Sequence, residues 1–257
     1  MDKKYTLKIF RGTPGDQYWE EFELLLKPQA NVISSLMEVR KNPINKRGEK
    51  TTPVAWAQGC LEEVCGSCSM LVNGRPRQSC TALIESYLRE TKSDTITLAP
   101  LTKFPLIRDL CVDRTKMLEA LKKIRGWVSV DGTEDNGQFG PPISQEVQGA
   151  MYRLSTCMAC GCCTESCPQV NAKSEFMGPA AMSQIRYFNA NPTGALEKSE
   201  RLRTALSDEG IGGCGNAQNC VQVCPKKIPL TESLALIGRE ATKQAIKDFL
   251  GLPDTTK

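Results

Sequence analysis

At 257 residues, 40% hydrophobic and 24% charged, the chain can bury a real core and is long enough for one large domain or two ordinary ones. Its 33 basic and 29 acidic side chains leave a formal charge of +4, far from the strongly basic surface of a nucleic-acid binder. With 13 cysteines and no histidine it is excluded from Cys₂His₂ zinc, Rieske-type clusters and His-ligated haem, and the odd cysteine total cannot pair wholly within one chain.

The N-terminal MDKKYTLKIF carries charge with no long apolar run behind it, so no secretory signal is expected. No apolar stretch approaches the roughly 20 residues that cross a bilayer. The expectation is a cytosolic chain, or one attached to a membrane from that side. In a reducing compartment, many cysteines signal metal or redox chemistry more readily than disulfides. Tyr5, Leu7 and Ile9 alternate with polar residues, as do Phe22, Leu24 and Leu26 after a turn at Thr13-Pro14-Gly15, predicting two strands. Asn31 is placed to cap a helix presenting Val32, Leu36 and Val39 on one face. Met70-Leu71-Val72 runs into Asn73-Gly74, a tight-hairpin signal, and Thr95–Leu98 gives a further strand stopped by Pro100. From about Phe104 the pattern turns helical, with Leu110, Met117, Leu118, Leu121 and Ile124 at helical spacing. Gly126–Pro142 reads as a loop, and Ala180–Asn189 and Thr231–Leu250 as helices. A boundary near 107 divides a small mixed sheet, residues 1–107, from a helical domain, residues 108–257.

Three cysteine groups carry the chemistry. Cys60-x4-Cys65-x2-Cys68, followed by Cys80 after eleven intervening residues, has the plant-type [2Fe–2S] spacing. A loop supplies three thiolates around a flat core, Gly59 and Gly66 let backbone approach, and Cys80 arrives from the strand after the hairpin. The rival is a Cys₄ zinc site, which usually shows two short knuckles instead. Cys157-x2-Cys160-x2-Cys163-x3-Cys167-Pro168 is the run of bacterial two-cluster ferredoxins, in which the fourth cysteine serves the other cluster. Aligning Cys214, Cys220 and Cys224-Pro225 on that run puts Ala217 where a second cysteine belongs. Cross-pairing then gives Cys157, Cys160, Cys163 and Cys224 to a [4Fe–4S] cluster and leaves Cys167, Cys214 and Cys220 for the other. Three thiolates suit a [3Fe–4S] cluster; a four-iron cluster finished by water or hydroxide is the alternative. Cys162 and Cys111 fall outside the register and are expected to be small buried hydrophobes, Cys111 in an apolar helical stretch.

With all three motifs in order, the chain resembles the iron–sulfur subunit of the succinate dehydrogenase/fumarate reductase family. The likeness runs nearly full length and includes Phe104-Pro-Leu-Ile-Arg-Asp-Leu110 and Asn219-Cys-Val-Gln-Val-Cys-Pro-Lys226. It implies an α+β architecture, a β-grasp plant-type [2Fe–2S] ferredoxin domain followed by an α-helical ferredoxin domain. It also implies a flavoprotein partner carrying FAD, a membrane-anchor cytochrome b with haem b, and a seat on the cytoplasmic face of the membrane through that anchor. Electrons would pass from flavin through the [2Fe–2S], [4Fe–4S] and [3Fe–4S] clusters to quinone. The turn Cys167-Pro168-Gln169-Val170-Asn171 lacks the tryptophan of ubiquinone-linked members, and Gly215 stands where some carry a histidine. Glu175-Phe-Met-Gly-Pro-Ala-Ala181 resembles the menaquinone-linked branch. Only Pro168 matches among quinone-side residues. Other flavin-linked dehydrogenases and heterodisulfide reductase-like chains usually carry two complete four-iron sets, which Ala217 and the N-terminal motif oppose. A zinc scaffold acting as an interaction module is the non-redox alternative.

Overall fold

The computed structural model describes residues 3–129 and 141–254. By compactness the chain divides into one unit of Met1–Arg114 with Met158–Ser166, and a second of Thr115–Cys157 with Cys167–Lys257. The chain thus enters the first unit twice, whereas the sequence division at 107 has a single crossing.

The first unit is built on a five-stranded mixed sheet in the order β2-β1-β5-β3-β4. Its strands are β1 (Lys4–Thr13), β2 (Asp16–Leu25), β3 (Ser69–Val72), β4 (Arg75–Gln78) and β5 (Thr95–Ala99). Only the β1–β5 pair is parallel. The β1 alternation behaves as read, with Tyr5, Leu7 and Ile9 buried against Phe22 of β2. Helix α1 (Val32–Lys41) starts where Asn31 and Ser34 satisfy each other's backbone in a capping box. It lays Val32, Ile33, Leu36 and Val39 on the sheet core, completing a β-grasp. Asn73 and Gly74 take φ of +48° and +75°, the left-handed pair that a two-residue hairpin needs, so β4 returns along β3 and delivers Cys80.

Two features differ from the sequence reading. A second helix, α2 (Ile84–Thr91), precedes β5 and buries Ile84, Tyr87 and Leu88. After β5 the chain forms a small hairpin, β6 (Leu106–Arg108) and β7 (Cys111–Val112), before helix α3 (Thr115–Lys123) begins. Leu110 and Cys111 are therefore in a turn and a strand, and Cys111 is partly exposed. The reason is Asp109. Held at φ +49°, its buried carboxylate accepts Arg11 Nε at 3.3 Å and the amides of Gly12 and Ala55 at 2.8 Å each, which stops a helix from starting there. Arg11 completes the knot with Glu20 at 2.6 Å.

The second unit is helical: α4 (Gln145–Ser155), α6 (Pro179–Ala190), α7 (Lys198–Leu206), a short α8 (Asn219–Val223) and the long α9 (Leu230–Phe249), while the short α5 (Cys162–Ser166) lies in the first unit. Leu234, Ile237 and Ala241 recur along one stripe of α9 and pack with Met182, Ile185, Leu202 and Ala205, and Leu230 at the start of the helix is buried too. Fully buried Arg201 donates to the carbonyls of Arg125, Gly194 and Trp127, fixing the chain that leaves α3. The predicted loop after Gly126 is irregular at 126–129 and 141–144, while 130–140 lie outside the described residues. Among the described residues no helix is long and apolar enough to cross a membrane.

Removing a buried carboxylate that serves a cation and two amides strands all three. Asp109→Ala is expected to lower stability by about 3 kcal/mol in chemical denaturation. Breaking the exposed Lys4–Glu23 pair (2.7 Å) by Lys4→Ala is expected to cost under about 1 kcal/mol in the same measurement.

Candidate metal centres

The segment from Gly59 to Ser67 is drawn round its own sulfurs. Leu61 and Glu63 adopt φ of +64° and +57°, a strained choice for residues with a Cβ. The reward is that the amides of Glu62, Val64 and Cys65 all point at Cys60 Sγ, at 3.4, 3.3 and 3.3 Å, while the Cys60 amide points back at Cys65 Sγ at 3.3 Å. Amides aimed at sulfur favour thiolate. The Ser67 hydroxyl, joined by the Cys60 amide, brings the Cys65 thiol down to about 6. Cys80, buried behind the hairpin, is pushed the other way to about 11, first by burial and then by its neighbour Cys68. The Glu63 backbone also reaches Cys80, which ties the Cys60–Cys65 loop to the Cys68–Cys80 pair. Backbone N–H donors and four soft sulfurs are the donor set of an iron–sulfur site, and these residues fit one.

A buried network backs this group. Cys68 Sγ lies 3.3 Å from the Gln78 amide, whose other end is 2.5 Å from Ser69 Oγ. A ligating Cys68 has no proton to give. Turning the Gln78 amide over would set Nε2 on Cys68, and the Ser69 hydroxyl, which donates to Gly66 O at 3.1 Å, would turn to Oε1. Cys162 is fully buried, as expected, and lies 3.9 Å from both Gln78 Nε2 and Ser69 Oγ.

Segment 158–166 is anchored in the first unit. Glu165 accepts the Thr102 amide, the Thr102 hydroxyl and the Lys103 amide at 2.9, 2.6 and 3.0 Å. Gly161 packs on Phe104, where a Cβ would meet the ring at 3.0 Å. Gly66 sits at φ +74°, and a Cβ there would lie 2.5 Å from Met158 O and 3.0 Å from Cys160 Cβ. The close approach read for Gly66 is thus made to the Met158–Cys160 backbone; at Gly59 a Cβ would lie 3.0 Å from Cys65 Sγ. Cys160 and Cys163 belong to this unit, Cys157 and Cys224 to the other, where Cys224 Sγ accepts the Ile228 amide at 3.4 Å.

Within the second unit, Cys167, Cys214 and Cys220 line one cavity together with Pro168, Gln169, Phe176 and Ala217. Burial raises the Cys220 thiol, and Cys167 and Cys214 are near enough to raise it further. The Ala217 methyl occupies the wall where the spacing calls for a fourth sulfur. A Cβ on Gly215 would lie 2.4 Å from Gln169 Nε2, so the missing side chain at 215 makes room for Gln169. The cysteines stand out in the sequence by their spacing; Gln78 and Gln169, whose identity follows no motif, had no sequence signal.

Residues 6–119 match the family model of the 2Fe-2S iron-sulfur cluster binding domain, and residues 153–228 that of the 4Fe-4S dicluster domain. The chain is 55% identical over 234 residues to the succinate dehydrogenase iron-sulfur subunit of Bacillus subtilis, covering 91% of this chain and 90% of that one. It is 25% identical over 245 residues to the fumarate reductase iron-sulfur subunit of Wolinella succinogenes, covering 93% and 98%. A chain of the Mycobacterium smegmatis Sdh1 complex in the apo form shares the fold, with a TM-score of 0.81 at 22% identity over 95% of this chain and 98% of that one. With two cluster-domain matches in series and one relative alike over nine-tenths of its length, the chain belongs to the family of succinate dehydrogenase and fumarate reductase iron–sulfur subunits.

Proposed function

We propose that this subunit carries electrons from a flavoprotein's FAD to a quinone through three sites. These are [2Fe–2S] on Cys60, Cys65, Cys68 and Cys80, [4Fe–4S] on Cys157, Cys160, Cys163 and Cys224, and [3Fe–4S] on Cys167, Cys214 and Cys220. The observation that carries the reading is the cavity where three cysteines meet Ala217 in place of a fourth. Bound at these positions, iron–sulfur clusters supply one-electron oxidation and reduction.

The protein's own part is ligation, orientation and exclusion of water. The amides on Cys60 Sγ hold the loop in its ligating shape before metal arrives, so little ordering remains to be done on loading. Burial of Cys68, Cys80, Cys160 and Cys220 keeps water from the sulfurs. Alanine at 217 offers no ligand, which limits the third site to three thiolates. No general acid or base is assigned, because succinate and fumarate interconvert on the flavoprotein. Pro168, on the wall of the third cavity, is the residue assigned to the quinone side, and the absence of tryptophan from the Cys167–Asn171 turn favours menaquinone. A cytochrome b anchor with haem b would hold the subunit at the cytoplasmic face of the membrane.

Ala217→Cys completes the C-x2-C-x2-C-x3-C register with Cys214, Cys220 and Cys224. The variant is expected to replace the oxidised [3Fe–4S] EPR signal by a four-iron centre of lower potential, since a thiolate adds negative charge. Quinone reduction should slow, while succinate oxidation with an artificial acceptor at the flavin persists. A variant keeping the three-iron signal undiminished would show that something other than the missing sulfur excludes the fourth iron. In a companion series, Cys162→Ser is expected to leave all EPR signals in place and Cys163→Ser to disturb the [4Fe–4S] signal.

Gly66→Ala tests the loop. Its Cβ meets backbone at 2.5 Å on a left-handed φ, so the complex is expected to lose [2Fe–2S] iron and its visible absorbance. Gly48→Ala, also at positive φ (+82°) but facing open space, should keep the cluster and cost only about 1 kcal/mol.

A further inference from the structure

Arg114 belongs to no cysteine motif, yet it grips the backbone between two of the cysteines. The half-buried guanidinium donates from Nη1 to Gly66 O at 2.6 Å and from Nη2 to Ser67 O at 2.9 Å. Those are the two carbonyls between Cys65 and Cys68. Burial works against its charge, while the thiols Cys160, Cys162, Cys68 and Cys65 favour it. The two segments that carry these thiols are themselves in contact, because Gly66 packs on the Met158–Cys160 backbone within the same compact unit. A guanidinium stays protonated at any pH the protein meets.

We propose that Arg114 is a fixed counter-charge shared by the [2Fe–2S] and [4Fe–4S] sites, raising the reduction potential of both. The proposal rests on the ligand assignment above. An added electron makes each site more negative, and a cation among its sulfurs stabilises that state by direct Coulomb attraction in a poorly solvated setting. Arg114 is a positioning and tuning residue that touches no substrate.

Two variants separate charge from clamping. Arg114→Gln keeps N–H donors for the carbonyls and discards the charge; Arg114→Lys keeps the charge and discards the two-pronged grip. The measurement is an EPR-monitored redox titration of the purified complex, with iron and sulfide assayed beside it. Arg114→Gln is expected to lower the midpoints of both the [2Fe–2S] and [4Fe–4S] signals at unchanged line shape, and Arg114→Lys to stay near wild type. Loss of clusters from Arg114→Gln alone, with Arg114→Lys loaded normally, would also mark the charge as the active feature. A fully loaded Arg114→Gln with both midpoints unmoved, or equal loss of clusters from both variants, would overturn the proposal. Wild-type complex lacking those two signals would instead fault the ligand assignment, leaving Arg114 aside.

Discussion

Thiolates gathered in one place repel one another and lose water, so they stay together only where N–H groups or cations face them. In the first unit that requirement is met by backbone. Three amides converge on Cys60 Sγ because Leu61 and Glu63 accept left-handed geometry, and Arg114 adds a full charge on the Gly66 and Ser67 carbonyls between Cys65 and Cys68. The strain in the loop, the hairpin that returns Cys80 and the bare backbone at Gly66 are all consequences of building a concave, donor-lined surface from a short segment. A sheet with α1 and α2 packed into its core provides the stiff frame from which such a loop can hang.

Much of this was legible in the amino-acid sequence, for a physical reason. Metal ligation is local, so C-x4-C-x2-C and C-x2-C-x2-C-x3-C survive as spacings whatever the rest of the chain does. Strand alternation at Tyr5, Leu7 and Ile9, the Asn31 cap and the Asn73-Gly74 turn are likewise decided within a few residues. What escaped was long-range. Leu110 sits at helical spacing with Met117 and Leu121, and Cys111 reads as part of the same stretch, yet Asp109, bound to Arg11 98 positions away, turns the chain there into a hairpin. Segment 158–166 reads as part of the second domain, but Glu165, Gly161 and Cys162 each find their partners in residues 66–104. Gln78 is an ordinary strand residue until Cys68 and Ser69 fold against it.

Ala217 illustrates how an omission carries information. A cavity lined by Cys167, Cys214 and Cys220 has Ala217 among its walls, at the position where the repeated spacing calls for a fourth cysteine. The family membership accounts for a chain of this length with cluster-binding domains in series, and the proposed gradation from four thiolates to three gives each site a different charge. Potential follows charge, so one substitution in a repeated motif separates two otherwise equivalent sites.

The three-site assignment is tested most directly by Mössbauer spectroscopy of the purified complex, grown on isotopically enriched iron and kept anaerobic. The assignment predicts three separable components: a two-iron site, a four-iron site and an oxidised three-iron site. A spectrum resolving one two-iron and two four-iron sites, with no three-iron component, would contradict it.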